Sequence, residues 1–177
     1  MIVRNKGPGD KKAIRRLNTT VFGQPQEAYL VDALRDHCDD LLSLVAVDGD
    51  DIVGHILFSP AIIADVAGMG LGPIAVAPEQ QGGGIGSELI RAGLAKLEKH
   101  GCPFVIVFGH PEYYPRFGFE RANRYGVRCE WDVPDDVFMI LVLDEAAMKG
   151  CQDSCAIDRS SQSFRDEVQQ LSDLHLS

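Results

Sequence analysis

Six consecutive residues, Gln81-Gly82-Gly83-Gly84-Ile85-Gly86, have the types and spacing to do chemistry. They stand between an apolar run at 71–77 and a segment of helical periodicity at 85–100. A strand that enters a glycine-rich turn and then a helix gathers backbone N–H groups and a positive dipole end at one point. Such a point binds anions, phosphates above all. Spacing narrows the ligand. The dinucleotide pattern G-x-G-x-x-G fails, because its last glycine falls on Ser87 counted from Gly82 and on Leu89 counted from Gly84. The triphosphate pattern G-x-x-x-x-G-K-[ST] fails for want of a Gly-Lys pair. What fits is Gln-x-x-Gly-x-Gly at Gln81, Gly84 and Gly86. Glycines at 82, 83, 84 and 86 let a backbone approach a pyrophosphate without a Cβ in the way. Gln81 can add an amide and Ser87 a hydroxyl. A ligand-free turn needs fewer glycines.

The hexapeptide resembles the pyrophosphate-binding motif of the GNAT superfamily of N-acetyltransferases, which use acetyl-coenzyme A. Two further stretches carry the resemblance. Leu71-Gly72-Pro73-Ile74-Ala75-Val76-Ala77-Pro78-Glu79 is similar to the strand that precedes the motif. Glu112-Tyr113-Tyr114-Pro115-Arg116-Phe117-Gly118-Phe119 is similar to a second signature, a tyrosine five residues before the Phe of a Gly-Phe pair. Gly109-His110-Pro111-Glu112-Tyr113-Tyr114 also resembles a bacterial subgroup of small predicted acetyltransferases. The likeness runs from about residue 2 to about residue 150.

The resemblance implies a fold and a division of labour. The fold is α/β: a mixed, mostly antiparallel sheet with a central, splayed parallel strand pair and helices on both faces. Pantetheine would lie in the splay and pair with backbone groups of Ile74, Ala75 and Val76 like an added strand. An N–H near Val76 would polarise the thioester carbonyl. Gln81, Gly82, Gly83, Gly84, Ile85, Gly86 and Ser87 would hold the pyrophosphate. Tyr114 takes the position of the usual general acid. Its competing reading is an aromatic core residue beside Tyr113, Phe117 and Phe119. Pro115 departs from the commonest pattern, which leaves Tyr113 as a fallback.

The base stays open. Residues 71–77 contain no glutamate, so His110 at the end of the fifth strand comes first, Glu112 second and Glu79 third. A histidine takes a proton near neutral pH without tuning. Its bland alternative is a polar residue closing a strand. His55 faces either the acceptor cleft or solvent, and His37, His100 and His175 read as surface residues.

Composition bounds the rest. A chain of 177 residues is one domain, or one with a tail, and can bury a core. Hydrophobic content is 45% and charged content 24%, ordinary for a soluble protein. No apolar run reaches the roughly 18 residues of a membrane span, and residues 1–8 lack the apolar block of a signal peptide. Five cysteines without a C-x-x-C pair read as reduced cytosolic thiols, with no metal site and a cytoplasmic location. A net charge of −9 argues against nucleic acid as the main partner. It suits a cationic acceptor, and suits solubility equally well.

The secondary structure around these residues follows from punctuation and period. Residues 2–4 are β-like, and Asp10 is the N-cap of a helix to about 21. A second helix spans 26–37. Strands cover 41–47 and 52–59 around the Asp48-Gly49-Asp50 turn. Residues 71–77 form the fourth strand; Pro73 cannot donate to a ladder, so it belongs at a bulge or an edge. Ile85, Leu89, Ile90, Gly93, Leu94 and Leu97 share one face of the next helix, which Gly101 and Pro103 end. Residues 104–108 are apolar throughout, as in a buried parallel strand. A short helix passes through Tyr113 and Tyr114, and strands at 125–130 and 138–143 close the sheet. The acetyltransferase domain is read as 1–145, with 146–177 a polar extension, docked as a helix through Phe164, Val168, Leu171 and Leu174 or frayed.

The expectation is therefore an N-acetyltransferase that moves an acetyl group from acetyl-coenzyme A to a primary amine by direct attack. No cysteine falls in either signature, so no covalent enzyme intermediate is invoked. The acceptor is an amine-bearing small molecule or protein, and no membrane is involved. A homodimer is carried by the family likeness alone. The rival is a non-catalytic acyl-coenzyme A-binding module that senses the cofactor or regulates a partner.

Overall fold

The computed structural model describes residues 1–23, 41–129, 134–151 and 155–157. Its elements are β1 (Ile2–Asn5), α1 (Lys11–Phe22), β2 (Leu42–Asp48), β3 (Asp51–Ile63), β4 (Val66–Val76), α2 (Ile85–Lys99), β5 (Phe104–Phe108), β6 (Glu120–Arg121), β7 (Arg128–Cys129), β8 (Phe138–Val142) and β9 (Cys155–Ile157). The sheet is mixed and mostly antiparallel. The chain divides into two compact units, Met1–Ser59 with Gly72–Lys96 and Pro60–Leu71 with Leu97–Ser177, so β3 and β4 each contribute to both.

In the first unit β1, β2 and β3 pair antiparallel in chain order, with Ile2 opposite Val47 and Leu44 opposite Ile56. The two faces of β3 are covered by different helices. A Cβ built on Gly54 would lie 2.9 Å from both Ile85 and Leu89, and one on Gly93 would lie 2.3 Å from the Phe58 ring, so α2 rides close on that side. One residue out of phase, Leu57 joins Val45 and Ile14 of α1 in a small buried cluster. Adjacent residues of a strand point to opposite faces, so α1 and α2 flank the sheet. The α2 positions expected to face inward, Ile85, Leu89, Ile90, Leu94 and Leu97, are all buried.

Asp10 stands at the N-cap position of α1, but its carboxylate makes no bond into the helix. It turns back instead, accepting from the Gly7 N–H at 2.6 Å and pairing with Arg4 at 2.6 and 3.1 Å. A left-handed glycine, Gly23, ends α1, with its N–H donating to the Thr19 carbonyl. The helix expected over 26–37 lies outside the described residues.

In the second unit β4 and β5 form the expected parallel pair, with Met69 opposite Val105, Gly70 opposite Ile106 and Leu71 opposite Val107. Pro73, which has no N–H to give, follows two residues after the last of these pairs. β5 pairs antiparallel with β8 along its whole length, and β6 pairs with β8. Phe104, Ile106, Phe108, Phe138 and Ile140 form the core there, joined by Ala61 and Ile63. The Phe104 ring fills the space over Gly68, where a Cβ would come within 2.6 Å.

The closing segment differs from its expectation. Residues 122–125 form a tight turn ended by Gly126 at φ +70°, so among the described residues of the stretch read as a strand Arg128–Cys129 pairs, parallel to β9. β9 also pairs antiparallel with the end of β3, at Ile62–Ile157 and Ile63–Ala156. Part of the C-terminal stretch is thus strand. Phe164, Val168, Leu171 and Leu174 lie outside the described residues.

Candidate active site

The glycine turn belongs to the first unit. β4 ends at Val76, residues 78–80 make one tight turn, and α2 begins at Ile85. Gly82 and Gly84 have φ of +78° and +87°, a conformation that side chains with a Cβ rarely adopt. Nothing lies within 4 Å of a Cβ built on either, so both present open backbone to solvent. The turn carries Gln81, Gly82, Gly83 and Gly84 exposed, Ile85 buried, and Gly86 and Ser87 half-buried. The Glu88 N–H donates to the Gly84 carbonyl at 3.0 Å, closing the first turn of α2. The N–H groups ahead of Glu88 have no carbonyl within the helix to donate to. N–H groups so placed, together with the helix dipole, have the chemistry that suits a phosphate anion.

Gln81 does something the sequence reading did not anticipate. Its side-chain Nε2 donates to the Val76 carbonyl at 3.0 Å and ties the turn back to the strand end. Ile74 and Val76 are half-buried and Ala75 is buried, so these strand residues pack with their side chains as anticipated.

Beside the turn lies a cavity of about 330 Å³ within the same unit. Arg16 and Thr20 of α1, Asp48 and Asp51 at the β2–β3 turn, and Glu79 and Gln80 line it. Three acidic residues and one arginine are thus among its lining. Its lining comes from three separated segments, which is why no local sequence pattern announces it.

His55 corrects a sequence expectation. It faces neither a cleft nor solvent but is fully buried. Its Nδ1 lies 3.3 Å from Asn18 Nδ2 and its Nε2 3.1 Å from Ser43 Oγ. Asn18 Nδ2 also donates to the Ile14 carbonyl at 2.9 Å. An amide nitrogen has only donors, so Nδ1 of His55 accepts and Nε2 carries the proton toward Ser43. Parity could not reveal this, because both faces of β3 are covered.

The second unit holds the other signature. Tyr114 begins a tight turn, Tyr114–Phe117, that ends at Gly118 with φ +92°. Pro115 is the second residue of that turn, where an N–H has no partner within the turn and its absence costs nothing. The Tyr114 ring is 6% exposed and meets Tyr113 and Phe119 edge-on, at centroid separations of 5.2 and 5.7 Å. Tyr113 is half-buried, and the Arg116 guanidinium lies 4.7 Å from its ring centroid. His110 is exposed one residue past Gly109, and its carbonyl accepts from the Tyr113 N–H at 3.0 Å. Glu112, like Glu79 of the first unit, is exposed. His100 is on the surface as expected, while His37 and His175 lie outside the described residues.

Among the described residues no group of three or more His, Cys, Asp and Glu side chains is placed to hold a metal ion. Nor is any helix among them long and apolar enough to cross a membrane. Cys102 is half-buried, and burial pushes its thiol pKa up despite bonds to the Phe104 and Met69 backbone, so it is unsuited to act as a thiolate.

Known proteins resemble this chain in sequence and fold. The acetyltransferase (GNAT) domain family matches residues 3–122. The uncharacterized N-acetyltransferase YhbS of Escherichia coli K12 is 33% identical over 153 residues, 85% of this chain and 92% of that protein. YjhQ of the same organism, also an uncharacterized N-acetyltransferase, is 40% identical over 134 residues, 72% of this chain and 74% of that protein. The crystal structure of E. coli YhbS in complex with CoA superposes with a TM-score of 0.84 at 30% identity, covering 93% of this chain and 91% of that one. A Brucella melitensis GNAT family acetyltransferase in complex with acetyl-CoA gives 0.67 at 35% identity, covering 80% and 86%. The family model matches more than half of the chain, and YhbS and YjhQ are each more than 30% identical over most of it, so this protein belongs to the GNAT family of N-acetyltransferases.

Proposed function

We propose that this protein binds acetyl-coenzyme A at residues 81–87 and transfers the acetyl group to a primary amine in a ternary complex. The observation that carries the reading is the open turn at Gly82 and Gly84, at the N-terminus of α2. Its exposed backbone and dipole suit a pyrophosphate, and the relatives YhbS and the Brucella enzyme were crystallised with CoA and acetyl-CoA. Acetyl-coenzyme A supplies the thioester; everything else falls to the chain. Backbone groups of Ile74, Ala75 and Val76 are assigned to the pantetheine amides, and an N–H near Val76 to the thioester carbonyl.

The reaction balances as follows. The amine nitrogen forms a bond to the acetyl carbon, the carbon–sulfur bond breaks, the amine loses a proton and the thiolate gains one. A lysine-like amine of pKa about 10.4 is neutral in only about one molecule in several thousand at pH 7, a handicap of about 4–5 kcal/mol. His110 is assigned the task of taking that proton, ahead of Glu112 and Glu79. Tyr114 Oη is assigned to protonate the departing sulfur. The acceptor is an amine-bearing small molecule or a protein amine. The near-complete burial of Tyr114 is what favours the rival, a cofactor-binding module in which the ring only packs.

The test is free-thiol release from acetyl-coenzyme A with spermidine, kanamycin and Nα-blocked lysine as acceptors, comparing wild type with Tyr114→Phe. Loss of the acid lowers the rate by about 10² to 10⁴ with unchanged cofactor affinity. Tyr113→Phe is the control and stays near wild type. Equal, small effects at both positions would support the rival.

A further inference from the structure

We propose that Gly109 is a positioning residue whose missing side chain is the seat of the Tyr114 ring. The inference rests on the reading of Tyr114 as the general acid and adds what holds its phenol in place. Gly109 is the first residue beyond β5, and its N–H donates to the Val137 carbonyl at 3.0 Å, which pins the backbone there. The parallel pairing of β5 with β4 ends two residues earlier, at Leu71–Val107. Gly109 therefore marks where β5 has just left its parallel partner.

A Cβ built on Gly109 would lie 2.1 Å from Tyr114 Cε2, 2.8 Å from Cδ2 and 3.1 Å from Cζ. Backbone conformation does not call for glycine here, since Gly109 is absent from the glycines at positive φ. Gly118 is the contrast: its φ of +92° calls for glycine whatever the space around it. The ring lying on the α-carbon is the obstacle at 109. That ring is bounded on other sides by Phe119 and Tyr113. Any side chain at 109 makes the ring retreat by about an ångström or more, since ordinary contacts begin near 3.4 Å. The hydroxyl is carried with it. A displacement of that size at a reacting group costs about 10²-fold in rate. All three of the nearest atoms to this seat belong to Tyr114 and none to Tyr113.

Gly109→Ala, Tyr114→Phe and the double variant are compared for thiol release, with acetyl-coenzyme A and with an acetyl thioester of a more acidic aryl thiol. Gly109→Ala is expected to lower kcat about 10²-fold with KM for acetyl-coenzyme A within a few-fold. The deficit is expected to shrink for the aryl thioester, and the double variant to be no slower than Tyr114→Phe alone. The inference is overturned on its own if Tyr114→Phe is slow while Gly109→Ala turns over like wild type. It is overturned equally if the two losses multiply, or if the Gly109→Ala deficit is the same for both donors. A fully active Tyr114→Phe removes the acid assignment, and the seat loses its catalytic meaning with it. Should Gly109→Ala fail to fold, the natural sequence labelled with 3-fluorotyrosine still decides. The ¹⁹F resonance that disappears in Tyr114→Phe is expected to be split by slow ring flipping, and a single averaged line contradicts the seat.

Discussion

Gln81 and Val76 are joined by a side-chain-to-backbone hydrogen bond of 3.0 Å that closes the loop between β4 and the glycine turn. The carbonyl at the end of the strand proposed to hold pantetheine is thereby tied to the residue that opens the proposed pyrophosphate turn. Gln81→Ala is expected to destabilise the protein by about 0.5–1.5 kcal/mol, the ordinary worth of one such bond. Its larger effect falls on acetyl-coenzyme A, whose affinity should weaken several-fold. Calorimetric titration alongside thermal denaturation separates the two, and full affinity in Gln81→Ala would mean the tie has no bearing on the ligand.

The pair Asp10–Arg4 gives a pH prediction. The Arg4 guanidinium, with help from the Gly7 N–H, holds the Asp10 carboxyl below the usual carboxylate range. A depressed folded-state pKa makes a stabilising contribution that is complete above the unfolded value near 4. It is lost as pH falls through the lower folded value. Asp10→Asn should therefore lower Tm slightly at pH 7, by about 1–3 °C given the exposure of the pair, and make no difference at the acid end. Equal differences at both pH values would exclude the ion pair as the cause.

His110 is exposed beside the tyrosine turn, where a proton can leave to water. If it takes the amine proton, His110→Ala lowers turnover by about 10² near pH 7 and much less at pH 10, where free amine is plentiful. A pH–rate profile parallel to wild type would move the role to Glu112 or to solvent.

How far the sequence announces this structure depends on the residue. Phe104–Phe108 is legible to the residue, because five consecutive apolar side chains between Pro103 and Gly109 have one good burial solution. The α2 face is legible from its period. β3 and β4 are longer than their patterns suggest: Pro60 interrupts one and Gly68, Gly70 and Gly72 thin the other. Tertiary cover, such as the Phe104 ring over Gly68, overrides that weak local preference. Residues 81–87 and Tyr114 of the proposed site are nameable from two signatures, since the backbone needs glycine at 82 and 84 wherever the chain folds this way. The buried Asn18–His55–Ser43 trio and the cavity beside Glu79 are not, because each joins segments far apart in the chain.

Thermal stabilisation by acetyl-coenzyme A measures whether the turn at 82–86 holds its pyrophosphate. At about 100 times Kd the wild type should gain roughly 2.7 kcal/mol, a rise in Tm of about 5–10 °C. Gly84→Asn and Gly84→Asp impose the same backbone demand at φ +87°, but only the second adds a charge. Gly84→Asn is expected to keep part of the shift and Gly84→Asp, with a carboxylate against the pyrophosphate, none; the opposite results would place the pyrophosphate elsewhere. No shift in the wild type at millimolar acetyl-coenzyme A, or an undiminished shift in Gly84→Asp, would mean that the turn does not hold the pyrophosphate.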